Sequence, residues 1–160
     1  MATMTAGQPV LEALEEVAQL IAGVPFVLGG SAMMACRGIP IEVGDLDLLV
    51  DADARHSVLE RVPEATAPPS DDLNYCSAWR LAFRAGEMDV EVIGDFCFID
   101  GGRRLTVPTR GSGDVVAGVE LAAVAPWVVF YRTHDPVKAS LLKPFTSARE
   151  IDEAAASMAR

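Results

Sequence analysis

The sequence is poor in cysteine and in positive charge, and each shortage excludes a class of protein. Three cysteines occur in 160 residues, at positions 36, 76 and 97, without the close spacing of a metal-binding cluster. Their odd number and their scatter predict reduced thiols packed in the core, which favours a cytoplasmic location. The 13 Lys and Arg residues are outnumbered by 23 Asp and Glu residues, and the net charge is −10. That charge argues against bulk electrostatic binding of a nucleic-acid backbone.

Long apolar runs and targeting signals are also missing. The apolar runs are short and are interrupted by Gly, Pro or charged residues, so no segment predicts a membrane-spanning helix. Residues 1–8 have neither a basic start nor an apolar stretch, so we interpret them as a disordered or cloning-derived start and not as a signal peptide. Since no repeat or linker divides the remainder, residues 9–160 are predicted to form a single domain.

The hydrophobic pattern predicts an α+β (α/β) domain. The predicted helices lie at 9–23, 31–37, 52–62, 126–134 and 147–158. The predicted strands lie at 26–28, 45–50, 79–84, 87–93, 96–99, 103–107 and 115–121. Residues 63–77 form the longest predicted loop. This order predicts a mixed β-sheet flanked by helices, with further helices at the C-terminus.

Two aspartates on the second predicted strand are the strongest candidates for chemistry. Side chains alternate between the two faces of a strand, so Asp45 and Asp47 share one face while Leu46 and Leu48 point to the other. Two adjacent carboxylates beside a core repel each other, and burying their charge is costly. A divalent cation such as Mg²⁺ relieves both problems and also attracts phosphates, since hard oxygen ligands suit it. The pair therefore predicts a metal site.

Two further features are predicted to join this pair. The turn Gly29-Gly30-Ser31 follows a strand and opens a short helix, where glycines let a phosphate approach the backbone amides. A later strand carries Asp89 and Glu91 on one face, which offers a third carboxylate for the metal site. The pattern leaves the choice between those two residues open. Together the features predict a site in which two Mg²⁺ ions would bind a nucleoside triphosphate (NTP) and activate an acceptor hydroxyl.

The quoted segments resemble the nucleotidyltransferase superfamily with the polymerase-beta-like fold. The resemblance is carried by Val27–Ser31, the short helix that ends at Gly38, Asp45–Val50 and Met88–Val90. It extends over residues 24–93, and more weakly over the C-terminal helices. Within the superfamily, the chain looks most like the small antibiotic-modifying and toxin–antitoxin nucleotidyltransferases.

The resemblance implies a role for each matching residue. Gly29, Gly30 and Ser31 would contact the nucleotide phosphates. Asp45 and Asp47 would ligate both metal ions. Asp89 would be the third carboxylate ligand and the general base for the acceptor hydroxyl, and Glu91 is its rival because it shares the same face.

These features favour an enzyme that moves a nucleoside monophosphate from an NTP to a hydroxyl of a small molecule or a protein. The family often carries a hydroxyl residue just before the first aspartate, whereas Gly44 stands there in this chain and acidic Glu42 precedes it. This departure leaves open a catalytically degenerate protein that acts as a binding or antitoxin-like partner. Small family members also suggest a homodimer.

Other charged and aromatic residues have simpler interpretations. His56 and His134 are expected to lie exposed on the surface. Trp127 and Tyr131 are expected in the core or an interface. Lys138 could reach a triphosphate from the C-terminal helices, although an exposed position explains it equally well.

Overall fold

A computed structural model describes residues 7–69 and 72–159. Within those ranges the chain forms six α-helices: α1 (Gln8–Leu20), α2 (Gly30–Cys36), α3 (Arg55–Arg61), α4 (Val124–His134), α5 (Pro136–Leu142) and α6 (Ala148–Met158). The same residues form eight strands: β1 (Val27–Gly29), β2 (Asp45–Val50), β3 (Trp79–Ala85), β4 (Met88–Gly94), β5 (Cys97–Asp100), β6 (Arg103–Thr106), β7 (Gly111–Val116) and β8 (Val119–Ala122). The predicted α+β class is confirmed.

Six of the strands form one mixed sheet in the order β3-β4-β2-β1-β8-β7. β2 runs parallel to β4 and antiparallel to β1, and β1 runs parallel to β8. The C-terminal end of β1 therefore meets the N-terminal ends of β2 and β4 at the same edge of the sheet. β5 and β6 form a separate hairpin.

Helices pack on both faces of the sheet, and the buried apolar residues form one continuous core. α1 contacts β3, β4 and β8, and it buries Val10, Ala13, Leu14 and Val17, which recur at helical spacing. On β2 and β4, the residues that alternate with the acidic ones are buried, among them Leu46, Leu48, Val90 and Val92. α4 is almost wholly buried and contacts α5 and α6. This packing leaves the acidic residues of β2 and β4 on the face opposite to their buried neighbours.

Two predictions of secondary structure are wrong in detail. The single strand expected at 115–121 is a hairpin of β7 and β8, because Ala117 and Gly118 both have positive φ and turn the chain within two residues. The segment between the last two predicted helices contains α5, which Pro136 begins at a position where the missing N–H costs nothing. Of the expected disordered start, residues 1–6 lie outside the described residues, and Gln8 already belongs to α1.

The prediction of three reduced cysteines is also wrong. Cys76 and Cys97 form a disulfide across 21 residues of sequence, and Cys36 remains free. The chain brings the pair together because Cys76 N–H donates to the Cys97 carbonyl at 3.0 Å, and Tyr75 forms an isolated bridge with Phe98. Spacing in the sequence could not reveal this pairing across the long loop. Separately, none of the helices in the described ranges has the length and apolar character that a membrane crossing requires.

Candidate active site

The register of the sheet brings the predicted acidic residues into two rows. Asp45 pairs with Asp89 across β2 and β4, and Asp47 pairs with Glu91. On the other side of β2, Asp47 pairs with Gly29 at the end of β1. Because paired residues in a sheet share a face, all four carboxylates lie on the same face of the sheet.

Three of these four residues form a compact group, which we call the carboxylate cluster. Asp45, Asp47 and Glu91 each place a carboxylate oxygen within 4.8 Å of the others. Asp89, the first choice from the sequence, lies beside this group, and its carboxylate accepts a hydrogen bond from Arg84 at 2.7 Å. Its side chain is 69% exposed. The structure therefore places Glu91, the alternative candidate, as the third carboxylate of the cluster.

Burial and electrostatic repulsion raise the pKa values of two carboxyl groups in the cluster. Burial, together with the smaller effect of the negative charges of Asp45 and Glu91, raises the pKa of Asp47 from 3.8 to about 7. Burial also raises the pKa of Asp45, with the charges of Glu91 and Asp89 as smaller causes. The positive charges of Lys138 and Arg80 oppose both shifts. The cluster is thus short of positive charge.

Arg80 is the cation in direct contact with the cluster. It lies on β3, two residues from the partner of Glu91 in the sheet register, and its Nε donates to the Glu91 carboxylate. Both side chains are mostly buried, at 30% and 20% exposure. Arg80 therefore orients Glu91 and neutralises one of the three carboxylates.

The glycine turn packs directly against the cluster and against α4. Gly30 has φ +64°, and a Cβ there would overlap the Asp47 carboxylate. A Cβ at Gly29 would overlap the Trp127 indole. Ser31 is buried at the start of α2. The sequence needs glycine at both positions because the carboxylate and the indole occupy the space that a side chain would fill.

A cleft of about 580 Å³ opens next to the cluster, between the sheet and helices α4 and α5. Asp47, Glu91 and Arg80 line it from the sheet, and Tyr131 and Lys138 line it from the helices. Tyr131 is buried, and its hydroxyl has a raised pKa because of that burial and the charge of Asp47. A volume of this size suits a small-molecule substrate.

The two histidines have different environments. His56 is exposed, as expected, and its imidazole lies 2.8 Å from Glu60. The expected exposure of His134 is wrong: the residue lines the cleft, and its ring stacks on Phe130 with centroids 4.5 Å apart. His134 lies on the same face of α4 as the buried residues Trp127, Phe130 and Tyr131. The spacing of these residues along the helix was the signal that could have placed it there.

Comparisons with known proteins agree with this geometry at the level of the fold. No protein-family model and no curated protein matches the sequence. Among solved structures, a proposed nucleotidyltransferase from Thermotoga maritima matches with a TM-score of 0.59 and 18% identity, over 84% of this chain and 92% of that one. The chain has a nucleotidyltransferase-like fold.

A second solved structure of the same kind matches nearly the whole chain. The solution structure of the antibiotic-resistance factor ANT(2'')-Ia aligns with a TM-score of 0.58 and 15% identity, over 96% of this chain and 92% of that one. A crystal structure of ANT(2'')-Ia in complex with adenylyl-2''-tobramycin also matches, with a TM-score of 0.50. At such low identities the likeness extends to the fold, and the chemistry has to be argued from the residues of this chain.

Proposed function

We propose that this protein is a metal-dependent nucleotidyltransferase that moves a nucleoside monophosphate from an NTP to a hydroxyl group. The observation that carries the proposal is the carboxylate cluster, which lies at the end of β1 beside a glycine turn on a nucleotidyltransferase-like fold. Its three carboxylate oxygens lie within 4.8 Å of one another on the face of β2 and β4 opposite to the buried leucines and valines. Such an arrangement is costly unless a cation binds there.

The residues of the cluster fit divalent metal ions. Carboxylate oxygens are the hard ligands that Mg²⁺ prefers, and three of them converge within 4.8 Å. Burial and the charges of Asp45 and Glu91 raise the pKa of Asp47, and a bound cation would oppose both effects. We therefore propose Asp45, Asp47 and Glu91 as ligands of two Mg²⁺ ions, with Asp89 at the edge of the site. When bound, the ions supply charge neutralisation for the phosphates and make the acceptor hydroxyl more acidic.

The glycine turn and Lys138 are proposed to hold the triphosphate. The turn offers the backbone amides at the start of α2, with the buried Ser31 beside them, while Trp127 and Asp47 fill the space on the side-chain side of Gly29 and Gly30. Lys138 lies across the cleft, where its charge already acts on Asp45 and Asp47. These groups would position the α-phosphorus next to the cluster, which supplies much of the rate enhancement in phosphoryl and nucleotidyl transfer.

Glu91 is proposed to accept the proton from the acceptor. It borders both the cluster and the open cleft, and Arg80 fixes its orientation. The acceptor oxygen forms a bond to the α-phosphorus, the bond from that phosphorus to the bridging oxygen breaks, and pyrophosphate leaves. The hydroxyl proton passes to the carboxylate.

The alternative of a degenerate binding protein rests on the position of Asp89, which points to Arg84 and solvent. Because Glu91 supplies the third carboxylate, we favour the enzyme. The acceptor is proposed to be a small molecule, as the cleft volume suggests and as the adenylylated tobramycin in the ANT(2'')-Ia complex illustrates for that protein. A homodimer remains a prediction, and so does a cytoplasmic location, although the Cys76–Cys97 disulfide removes the argument from reduced thiols.

Calorimetric titration of ATP, GTP, CTP and UTP, each with and without Mg²⁺, tests the proposal. We expect binding of at least one nucleotide that requires Mg²⁺ and that disappears in Asp45→Asn/Asp47→Asn. The matched control is Asp51→Asn/Asp53→Asn, which removes the same charge from exposed positions just after β2. Absence of nucleotide binding in the folded wild type, or equal binding in both double variants, would overturn the proposal.

A further inference from the structure

The cleft extends from the carboxylate cluster toward β3 and away from the glycine turn. Its lining on the sheet comes from Asp47 on β2, Glu91 and Ile93 on β4, and Arg80 on β3. Among the described residues that line it, none belongs to β1 or α2. The open volume therefore begins at Asp47 and Trp127, which pack on the glycine turn, and extends on the side of the third carboxylate toward β3.

The geometry of in-line transfer indicates which ligand this side of the site would bind. This argument rests on the proposed function. The attacking oxygen and the leaving pyrophosphate lie on opposite sides of the α-phosphorus. If the pyrophosphate leaves from the glycine turn on β1, the acceptor hydroxyl enters from the β4 side, next to Glu91. The part of the cleft that extends toward β3 is then the acceptor subsite, and the part beside Lys138 belongs to the nucleotide.

The wall of this cleft is built from aromatic rings. Tyr75 lies over Phe96 with centroids 6.1 Å apart and an interplanar angle of 25°. On α4, His134 stacks on Phe130 at 4.5 Å, and its ring centroid is 5.9 Å from that of Tyr75. Phe96 and Phe130 are buried, whereas Tyr75 is 39% exposed. Tyr75 and His134 therefore offer ring surface to a bound molecule.

Three of the four acidic residues that line the cleft have hydrogen-bond partners, and the fourth, Asp47, is a proposed metal ligand. Glu91 is paired with Arg80. Asp135 accepts a hydrogen bond from the backbone N–H of Lys138 and lies 3.9 Å from the ammonium group of that residue. Asp72 accepts a hydrogen bond from the backbone N–H of Asn74 at 2.9 Å. A polycationic acceptor would have to compete with Arg80 for Glu91, with Lys138 for Asp135 and with the proposed metal ions for Asp47.

We propose that the acceptor carries its hydroxyl on a flat aromatic ring system that stacks on Tyr75 and His134. Aromatic rings attract each other in offset and edge-to-face arrangements, with a gain beyond simple burial of area. The cleft volume of about 580 Å³ accommodates such a molecule beside a bound nucleotide. The substrate class is thus an aryl alcohol or phenol and not a polycationic sugar.

Ligand-observed NMR titration with bound Mg²⁺ and a non-hydrolysable ATP analogue tests this inference. The probes are naphthalene-2-methanol, its fully saturated analogue and tobramycin. We expect the aryl alcohol to bind at least fivefold more tightly than the saturated analogue and tobramycin. Tyr75→Leu, which keeps apolar volume without the ring, should weaken its binding about tenfold, and Tyr75→Phe should retain it. Leu73→Ala is the matched control, because Leu73 is 92% exposed on the same loop and is outside the cleft lining.

Binding of the ATP analogue, measured in the same samples, separates this inference from the proposed function. We expect the analogue to bind wild type and Tyr75→Leu equally. If Tyr75→Leu weakens the analogue as much as the aryl alcohol, the rings hold the nucleobase and the acceptor inference is wrong. Preference for tobramycin, or failure of every probe on a protein that binds the analogue, also overturns it. Failure of the wild type to bind the analogue overturns the proposed function and this inference together.

Discussion

Replacement of Asp47 by Asn should stabilise the metal-free protein at pH 8. Asp47 is partly buried in the carboxylate cluster, and folding places its negative charge beside those of Asp45 and Glu91. The unfolded chain has no such penalty. Asparagine has nearly the same shape and no charge, so the variant removes the penalty while it leaves the packing of Gly30 against this side chain unchanged.

The size of the effect follows from the pKa of Asp47. A rise from 3.8 to about 7 means that the folded protein binds this proton far more tightly than the unfolded chain. Each tenfold difference corresponds to about 1.4 kcal/mol, so the full penalty above pH 7 is about 4 kcal/mol. Residual solvent contact screens part of it. We therefore expect a gain of about 2 to 4 kcal/mol in the free energy of unfolding.

The direction of the pKa shift determines how the stability gain of Asp47→Asn depends on pH. For a carboxyl group whose folded pKa is raised, the stabilising contribution is fully present below pH 3.8 and is lost as pH rises to about 7. The advantage of Asp47→Asn over wild type should therefore be near zero at pH 3.5, grow through the interval, and level off above pH 7. Urea denaturation with EDTA at pH 3.5, 5.5 and 8 measures it.

Asp53→Asn is the matched control, since Asp53 is exposed just after the same strand. Its free energy of unfolding should stay within about 0.5 kcal/mol of wild type at each pH. A gain for Asp47→Asn that does not change with pH, or a loss of stability at pH 8, would refute the reasoning.

Three further predictions concern other parts of the site. Gly30→Ala should destabilise the protein by about 1 to 3 kcal/mol and abolish nucleotide binding, since its Cβ would overlap the Asp47 carboxylate at a positive φ; urea denaturation and calorimetry measure the two effects. Cys76→Ser/Cys97→Ser should lose about 3 kcal/mol in thermal or urea unfolding, as expected for a crosslink across 21 residues, and unchanged stability would contradict it. Lys138→Ala should weaken Mg·NTP binding about tenfold, and an unchanged Kd would exclude Lys138 from the site.

Much of the site could be predicted because its residues are local in sequence. The alternation in Asp45–Val50 fixes which side chains share a face, and the structure reproduces that strand at both ends. The glycine turn and the following helix were predicted to within one residue. Local patterns of this kind need no knowledge of distant contacts.

The choice of the third carboxylate depended on pairing between strands. Asp89 and Glu91 share a face, and only the register of β2 against β4 decides that Glu91 lies beside Asp47. The residues of β3 that pair with β4 are easier to predict from the sequence, because the tight turn after Ala85 places Arg84 opposite Asp89. That hairpin register could have indicated from the sequence that Asp89 is engaged by an arginine.

The aromatic cleft and the disulfide could not be read from the sequence. They join Tyr75 and Cys76 of the long loop to Phe96 and Cys97, and loop positions carry no periodic pattern. Such contacts are set by the tertiary packing of the long loop against β5 and the residue before it. His134 differs from these contacts, since its spacing from Trp127, Phe130 and Tyr131 along α4 indicates the buried face and could have corrected the prediction that it is exposed.

Binding of Mn²⁺ in the presence of ATP, followed by electron paramagnetic resonance, tests most directly whether the carboxylate cluster is a metal–nucleotide site. Wild type, Asp47→Asn, Glu91→Gln and Asp89→Asn are compared at the same protein concentration. The account predicts tight binding in wild type, at least tenfold weaker binding in Asp47→Asn and Glu91→Gln, and binding within about twofold of wild type in Asp89→Asn. No bound Mn²⁺ in wild type, or loss of binding in Asp89→Asn with retention in Glu91→Gln, would contradict it.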